Sequence, residues 1–168
     1  MPNILLTGNK QVGKSTIINK IIEDYPGGVC GFKTVMKQTP RRQFFISEFQ
    51  KSAAIIANSV ERTRSYPLPP ISSTFDNEGA TILKRCFIQS PELIIMDELG
   101  LFENRAFYFQ KLVHRGLNSD IPILGVLKDK PSRFLNSIRD REDVEIIRVS
   151  EENRNQLVKI VMSKLLND

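Results

Sequence analysis

One stretch decides what this chain can fold into. Residues Gly8 to Ser15 read GNKQVGKS: Gly8, four residues, then Gly13, Lys14 and Ser15, with Thr16 next. The pattern G-x-x-x-x-G-K-S/T is that of a loop that wraps phosphate. It needs a strand before it and a helix after it, and both are legible. Ile4, Leu5 and Leu6 form the short apolar run of a buried parallel strand. Ile17, Ile18, Ile21, Ile22 and Tyr25 then recur at helical spacing until Pro26-Gly27-Gly28 stops them. Glycine at Gly8 and Gly13 permits backbone angles that a Cβ forbids, so the amides from Asn9 through Lys10, Gln11 and Val12 to Ser15 can turn inward. The helix N-terminus adds its positive dipole end. Lys14 supplies a point charge, and the Ser15 hydroxyl is a ligand for Mg²⁺. A chance match in a chain this long has a probability of roughly half a percent. The loop predicts a bound nucleotide.

Length then bounds the architecture. The 168 residues suffice for one domain with a full core and not comfortably for two. Hydrophobic residues at 40% and charged residues at 26% are ordinary for a soluble globular chain. Lys and Arg number 24 against 19 Asp and Glu, and this +5 suits polyanionic ligands. It would tolerate nucleic acid, but no arginine-rich tail or interleaved basic and aromatic stretch indicates one. Two cysteines, Cys30 and Cys86, predict free, buried thiols in a reducing compartment. The start runs straight into a strand and loop, so no signal peptide is expected, and no apolar stretch approaches membrane-spanning length. A cytoplasmic location follows, without a membrane; the sequence names no protein partner.

Along the rest of the chain, strands and helices alternate. Gly28 to Met36 reads as a second strand, and Arg42 to Phe49 with Ala53 to Asn58 as a β-hairpin turning at Gln50-Lys51-Ser52. Ser59 to Ser73, with Pro67, Pro69 and Pro70, reads as loop with room for an edge strand. A helix from Thr74 or Asp76 ends at Ser90-Pro91, and Leu93 to Met96 makes a buried strand. A helix through Phe109 and Leu117, a strand at Ile121 to Leu127, and a brief helix from Pro131 to Ile138 follow. The chain closes with a strand at Val144 to Val149 and a helix that Ser150 and Asn153 cap. Such alternation predicts one α/β domain over residues 1–168: a mostly parallel sheet covered by helices on both faces, with an antiparallel hairpin insertion at about 41–73. Its ligand belongs at the carboxyl ends of the strands.

There the sequence offers Leu93 to Gly100, LIIMDELG. An acidic residue closing an apolar strand is the partner a phosphate loop requires, so Asp97 is expected to hold Mg²⁺ with Ser15. Glu98 points to the other side of the strand end, where a carboxylate can polarise an attacking water. The letters also satisfy D-x-x-G, the switch motif of regulatory GTPases. Those proteins read guanine with N-K-x-D, however, and Leu127-Lys128-Asp129-Lys130 does not match. His114, the single histidine, reads as a surface or packing residue. Arg41, Arg42, Arg62 and Arg64 are candidates for a transition-state charge or a partner surface, with a solvated loop as the default.

With these residues in view, the chain resembles the family of small nucleoside-triphosphatases that includes the cancer-related nucleoside-triphosphatase. The resemblance rests on Gly8 to Thr16, Gly31-Phe32-Lys33-Thr34, Met96 to Glu103 (MDELGLFE), Pro122 to Lys128 and Glu152-Asn153-Arg154. It spans nearly the whole chain except Pro40 to Ser73. It implies a RecA-like sheet with an added antiparallel hairpin, and slow hydrolysis of ATP, GTP and other nucleoside triphosphates. Two residues depart from the family pattern: Lys33 stands where G-F-Y/F-T is usual, and Lys128 where a histidine is frequent. Lys128 is then either a sensor of the γ-phosphate or a solvated lysine. Arg154 stands either near the base and ribose or paired with Glu151 or Glu152. Two other functions share the loop: a nucleotide-dependent switch, and a kinase with Pro131 to Arg141 as its lid.

Overall fold

The computed structural model describes residues 2–38, 42–52, 55–57, 60–65 and 71–166. Its strands are β1 (Asn3–Thr7), β2 (Val29–Gln38), β3 (Arg42–Ser52), β4 (Ile55–Ala57), β5 (Val60–Ser65), β6 (Leu93–Leu99), β7 (Ile123–Leu127) and β8 (Val144–Arg148). The helices are α1 (Lys14–Asp24), α2 (Ser72–Thr74), α3 (Ala80–Gln89), α4 (Phe107–Leu117), α5 (Arg133–Arg139) and α6 (Arg154–Leu166). A π-helical turn, Phe75–Gly79, joins α2 to α3, and a 3₁₀ turn, Phe102–Arg105, leads into α4.

All eight strands share one sheet in the order β4-β3-β2-β6-β7-β1-β8, with β5 also on β3. The run from β2 to β8 is parallel, while β3 pairs antiparallel with β2, β4 and β5. This is the mostly parallel, RecA-like sheet with an antiparallel addition. The loop strand β1 and the acidic strand β6 are separated by β7, and both deliver their carboxyl ends to one edge.

Side-chain alternation builds a core on each face. Ile4, Leu6, Ile95, Leu124 and Val126 point to the side covered by α1 and α6, where Ile18, Ile21, Leu157 and Val161 meet them. Leu5, Phe32, Ile94, Met96 and Leu127 point the other way, onto α3, α4 and α5. On that second side Phe109 packs edge-on against Phe32 and Phe75, with centroids at 5.3 and 5.4 Å. The Asp76 carboxylate accepts from the Phe109 amide at 2.9 Å and so caps α4. Arg85 of α3 reaches Glu48 of β3 at 2.6 Å, tying the antiparallel addition to the helical layer.

Two expectations change and one is met. Gln50 to Ser52 are not a turn: β3 runs on to Ser52, its long partner is β2, and β4 lies along its outer end. The antiparallel pair of the expected hairpin is present, with Ser52 opposite Ile55, and only its turn lies further along the chain. Val60–Ser65 is the edge strand that the proline-rich stretch had room for, whereas Pro67, Pro69 and Pro70 lie outside the described residues. Cys30 and Cys86 are not free thiols but a disulfide, their Cα atoms 5.7 Å apart. Packing of α3 onto β2 brings together residues 56 positions apart, which spacing along the chain does not reveal. The reducing compartment inferred from free thiols loses that support. Among the described residues no helix is long and apolar enough to cross a membrane.

Pro131 to Arg141 offers no lid. Ser132 caps α5 by accepting from the Leu135 amide at 3.1 Å, and Phe134, Leu135 and Ile138 sit in the core.

Where β2 meets β6, the backbone needs glycine. Gly31 has φ 151°, and a Cβ there would run into the carbonyl oxygen of Ile95. Gly31→Ala should therefore cost roughly 3 kcal/mol or more of stability. Urea unfolding checks this, and a loss well under 1 kcal/mol would be too small for such a clash.

Candidate functional site

The loop owes its shape to two positive-φ glycines and one anchor. Gly8 has φ 133°, and a Cβ on it would stand 2.6 Å from the Val149 carbonyl oxygen, where β1 passes the end of β8. Gly13, at φ 109°, is the residue from which α1 starts. Between them Asn9, Lys10 and Gln11 are exposed, while Val12 is buried with α1 and fastens the loop to the core. Val12 thus contributes an amide to the loop and a side chain to the fold. Ser15 and Thr16 lie exposed in the first turn of α1, which carries no acidic residue to compete for its amides. Lys14 curls over the loop, its Nζ donating to the Gly8 and Asn9 carbonyl oxygens at 2.9 and 2.6 Å. Burial lowers its pKa, against the opposing pull of Glu98 and Asp97.

The acidic pair on β6 divides between two partners. Ile95 faces α1 and Met96 faces α4, so alternation turns Asp97 back toward α1. There the Ser15 hydroxyl donates to Asp97 Oδ1 at 3.3 Å. Asp97 is only 4% exposed, and its Oδ2 has no hydrogen-bond partner among the described residues. Burial pushes its pKa up, while Lys33 and the Ser15 hydrogen bond pull it down. Two hard oxygen donors, one of them an orphaned buried carboxylate atom, suit a small divalent cation. No group of three or more His, Cys, Asp and Glu converges among the described residues. Such a cation would take its remaining oxygens from water and phosphate. The neighbouring Glu98 instead meets Lys128 from the end of β7, Nζ to Oε1 at 2.7 Å. Both side chains stay partly open to solvent, at 33% and 40%.

Most of the residues picked from the sequence therefore gather at one edge. Arg154 opens α6 and lies over the loop, its Cδ 3.6 Å from where a Cβ on Gly13 would be. It forms no ion pair with Glu151 or Glu152 among the described residues. His114 packs as expected, its Nε2 3.0 Å from Ser137 Oγ and its ring against Phe134. Arg41 and the side chains of Arg42, Arg62 and Arg64 lie outside the described residues.

Two neighbours of the acidic pair carry no site role on sequence alone. Lys33 is aligned in register with Asp97, and its Nζ donates to Asn19 of α1 at 2.9 Å. Its signal was a lysine at the apolar end of a strand. Glu103 is 1% exposed, with Oε2 accepting from the Gly100 amide at 3.1 Å. Its signal was an acid three residues past a glycine in an apolar stretch.

A RecA-like sheet with a phosphate loop and an acidic strand end defines the class of phosphate-loop nucleoside-triphosphate hydrolases. A model of the NTPase family matches residues 3–162, and the chain belongs to that family. Relatives at this length bear it out. The nucleoside-triphosphatase THEP1 of Thermotoga maritima is 29% identical over 167 residues, 96% of this chain and 94% of that one. THEP1 of Methanosarcina barkeri is 30% identical, over 94% of this chain and 93% of its own. Among solved structures, the crystal structure of THEP1 from Aquifex aeolicus superposes with a TM-score of 0.78 at 22% identity, covering 98% of this chain and 99% of the other. The solution structure of a human cancer-related nucleoside triphosphatase gives 0.68 at 22%, covering 100% and 99%. At that identity the two structures speak for the fold alone.

The Glu103 carboxyl carries a test of its burial. Burial pushes its pKa up to about 7 from the usual 4.5, against hydrogen bonds from its own amide and that of Gly100. The folded chain therefore holds a proton there that the unfolded chain has already lost. The resulting stability is fully present below the unfolded value and disappears as pH rises through the folded one. The loss amounts to about 3 kcal/mol. Replacing Glu103 by Gln should shrink the fall in stability between about pH 4 and about pH 8 by that amount, read from urea unfolding. Parallel profiles for the two proteins would mean that the carboxyl is not shifted.

Proposed function

We propose that the chain hydrolyses ATP, GTP and other nucleoside triphosphates to diphosphate and phosphate, slowly and with Mg²⁺. One observation carries this: adjacent carboxylates on β6 have separate partners, Asp97 the Ser15 hydroxyl and Glu98 the Lys128 ammonium. Site and fold are assigned to a single domain of residues 1–168. The amides from Asn9 to Ser15 receive the phosphates, helped by the α1 N-terminus. Lys14 leaves the Gly8 and Asn9 carbonyls to contact the terminal phosphates. Ser15 and Asp97 are assigned to hold Mg²⁺, which when bound neutralises charge on the β and γ phosphates. Glu98 takes a proton from the attacking water. As the water oxygen bonds to the γ-phosphorus, the bond to the bridging oxygen breaks and the diphosphate leaves with the electron pair. Lys128 has two tasks, orienting Glu98 and meeting the γ-phosphate. Arg154 flanks the loop where base and ribose would leave it. The guanine-reading N-K-x-D motif is absent at Leu127 to Lys130, which supports tolerance of several bases. An arginine finger is worth roughly 10³ to 10⁵ in rate, and no arginine is assigned that task here, which supports low turnover.

Phosphate release with ATP, GTP, CTP and UTP, with Mg²⁺ and with chelator, tests the activity. All four should turn over with the metal and none without it; restriction to one base would contradict the substrate range. Three variants test the roles. Lys14→Ala should weaken nucleotide binding and hydrolysis together. Glu98→Gln should keep nucleotide affinity but lose about 10² to 10⁴ in single-turnover rate, the weight of a positioned base. Asp97→Asn should act through the metal and recover partly in excess Mg²⁺. A Glu98→Gln protein that hydrolyses ATP at near the parental rate sinks the mechanism.

A further inference from the structure

The geometry points to Glu103 as the positioning residue of the hydrolytic site: its buried carboxyl grips the Gly100 amide and so sets how Glu98 and Lys128 face each other. The inference rests on Glu98 as the base. Gly100 lies two residues past Glu98, where β6 gives way to the 3₁₀ turn. Three side chains converge on the space where a Cβ on Gly100 would sit. Glu103 Oε2 is 3.6 Å from it, Lys128 Cδ 3.7 Å and Glu98 Oε1 3.8 Å. The Lys128 amide donates to the Leu99 carbonyl at 3.0 Å, so β7 is tethered to the same turn.

Behind Gly100, Glu103 is itself fixed. Its carbonyl oxygen accepts from the Ala106 amide at 2.9 Å and from Gln110 Nε2 of α4 at 2.7 Å. A rigid path thus runs from α4 through the Glu103 backbone and carboxyl to Gly100, and from there to the Glu98–Lys128 pair. Burying a carboxyl costs free energy that an apolar residue would avoid. What it supplies in return is an acceptor of one definite reach for an amide that would otherwise be orphaned. Reach matters because a displacement of about 1 Å at a reacting group can cost roughly 10² in rate.

A pair of variants separates reach from the ionisable group. Glu103→Gln keeps the length and an acceptor oxygen and loses the ionisable carboxyl. Glu103→Asp keeps the carboxyl and falls one methylene short of Gly100. We expect the Asp variant to lose about 10- to 100-fold in kcat for ATP and the Gln variant less than about fivefold. Neither should change nucleotide affinity by more than about twofold, since among the described residues no hydrogen bond or ion pair joins Glu103 to Gly8 to Thr16. Both are assayed below their own unfolding transitions, so the folded fraction is known. Parental kcat in the Asp variant overturns the inference. So does a Gln variant as slow as Asp, or a loss shared equally between affinity and turnover. Glu98→Gln in the same assay keeps the two levels apart. If it is slow and Glu103→Asp is not, only the positioning role fails; if Glu98→Gln matches the parent, the base assignment has failed instead.

Discussion

The site depends on the two-residue period of β6. Alternation holds up to Asp97 and places its carboxylate on the loop side of the sheet, while Met96 and Leu99, three residues apart, share the α4 core, so the period ends at the acidic pair. Asp97 can face Ser15 only because Ile95 belongs to the α1 core and Met96 to the α4 core. A one-residue slip of β6 would turn Asp97 away from Ser15. The register with β7 is parallel up to Met96 and resumes at Leu99, with the acidic pair in the interval. The irregularity falls where the strand stops serving the core and starts serving chemistry.

Charge at this edge is arranged in layers. Nearest the α1 core is Asp97, nearly sealed, with Lys33 and Ser15 opposing the cost of its burial. Further out, Glu98 and Lys128 pair in a partly wet setting, where such a pair contributes little to stability and can afford to rearrange. On the α4 side lies Glu103, sealed again and held by backbone amides. Only the middle layer is open enough to meet water and substrate. The two sealed layers hold it from opposite faces of the sheet.

How much of this was legible in the sequence follows from how local each signal is. Gly8, Gly13, Lys14, Ser15, Asp97 and Glu98 were readable because a loop shape and a strand end are properties of neighbouring residues. Lys128 and Arg154 were located, but their partners were not: the Glu98 contact spans 30 positions, and the approach of Arg154 to Gly13 depends on how α6 docks. Glu103 stood in a quoted motif without a role, since nothing in LFENR says that its carboxyl folds back three residues. The β3–β4 hairpin is legible because its strands are neighbours in sequence, whereas the ladder of β3 on the extended β2 is not. The disulfide is not legible in the sequence either, because pairing across 56 residues is decided by helix docking.

That cross-link between Cys30 and Cys86 closes a covalent ring, and the antiparallel strands β3, β4 and β5 lie wholly within it. Topologically the chain is a lariat, with the phosphate loop on one tail and the acidic pair, Lys128 and α6 on the other. Cleavage of a peptide bond inside the ring leaves one covalent molecule, with both tails still joined through sulfur. Sequence added to or removed from the ring lengthens or shortens a loop whose ends stay pinned. The antiparallel addition is the part of this chain that can vary most in length without loosening the path between the tail that carries the phosphate loop and the tail that carries the acidic pair.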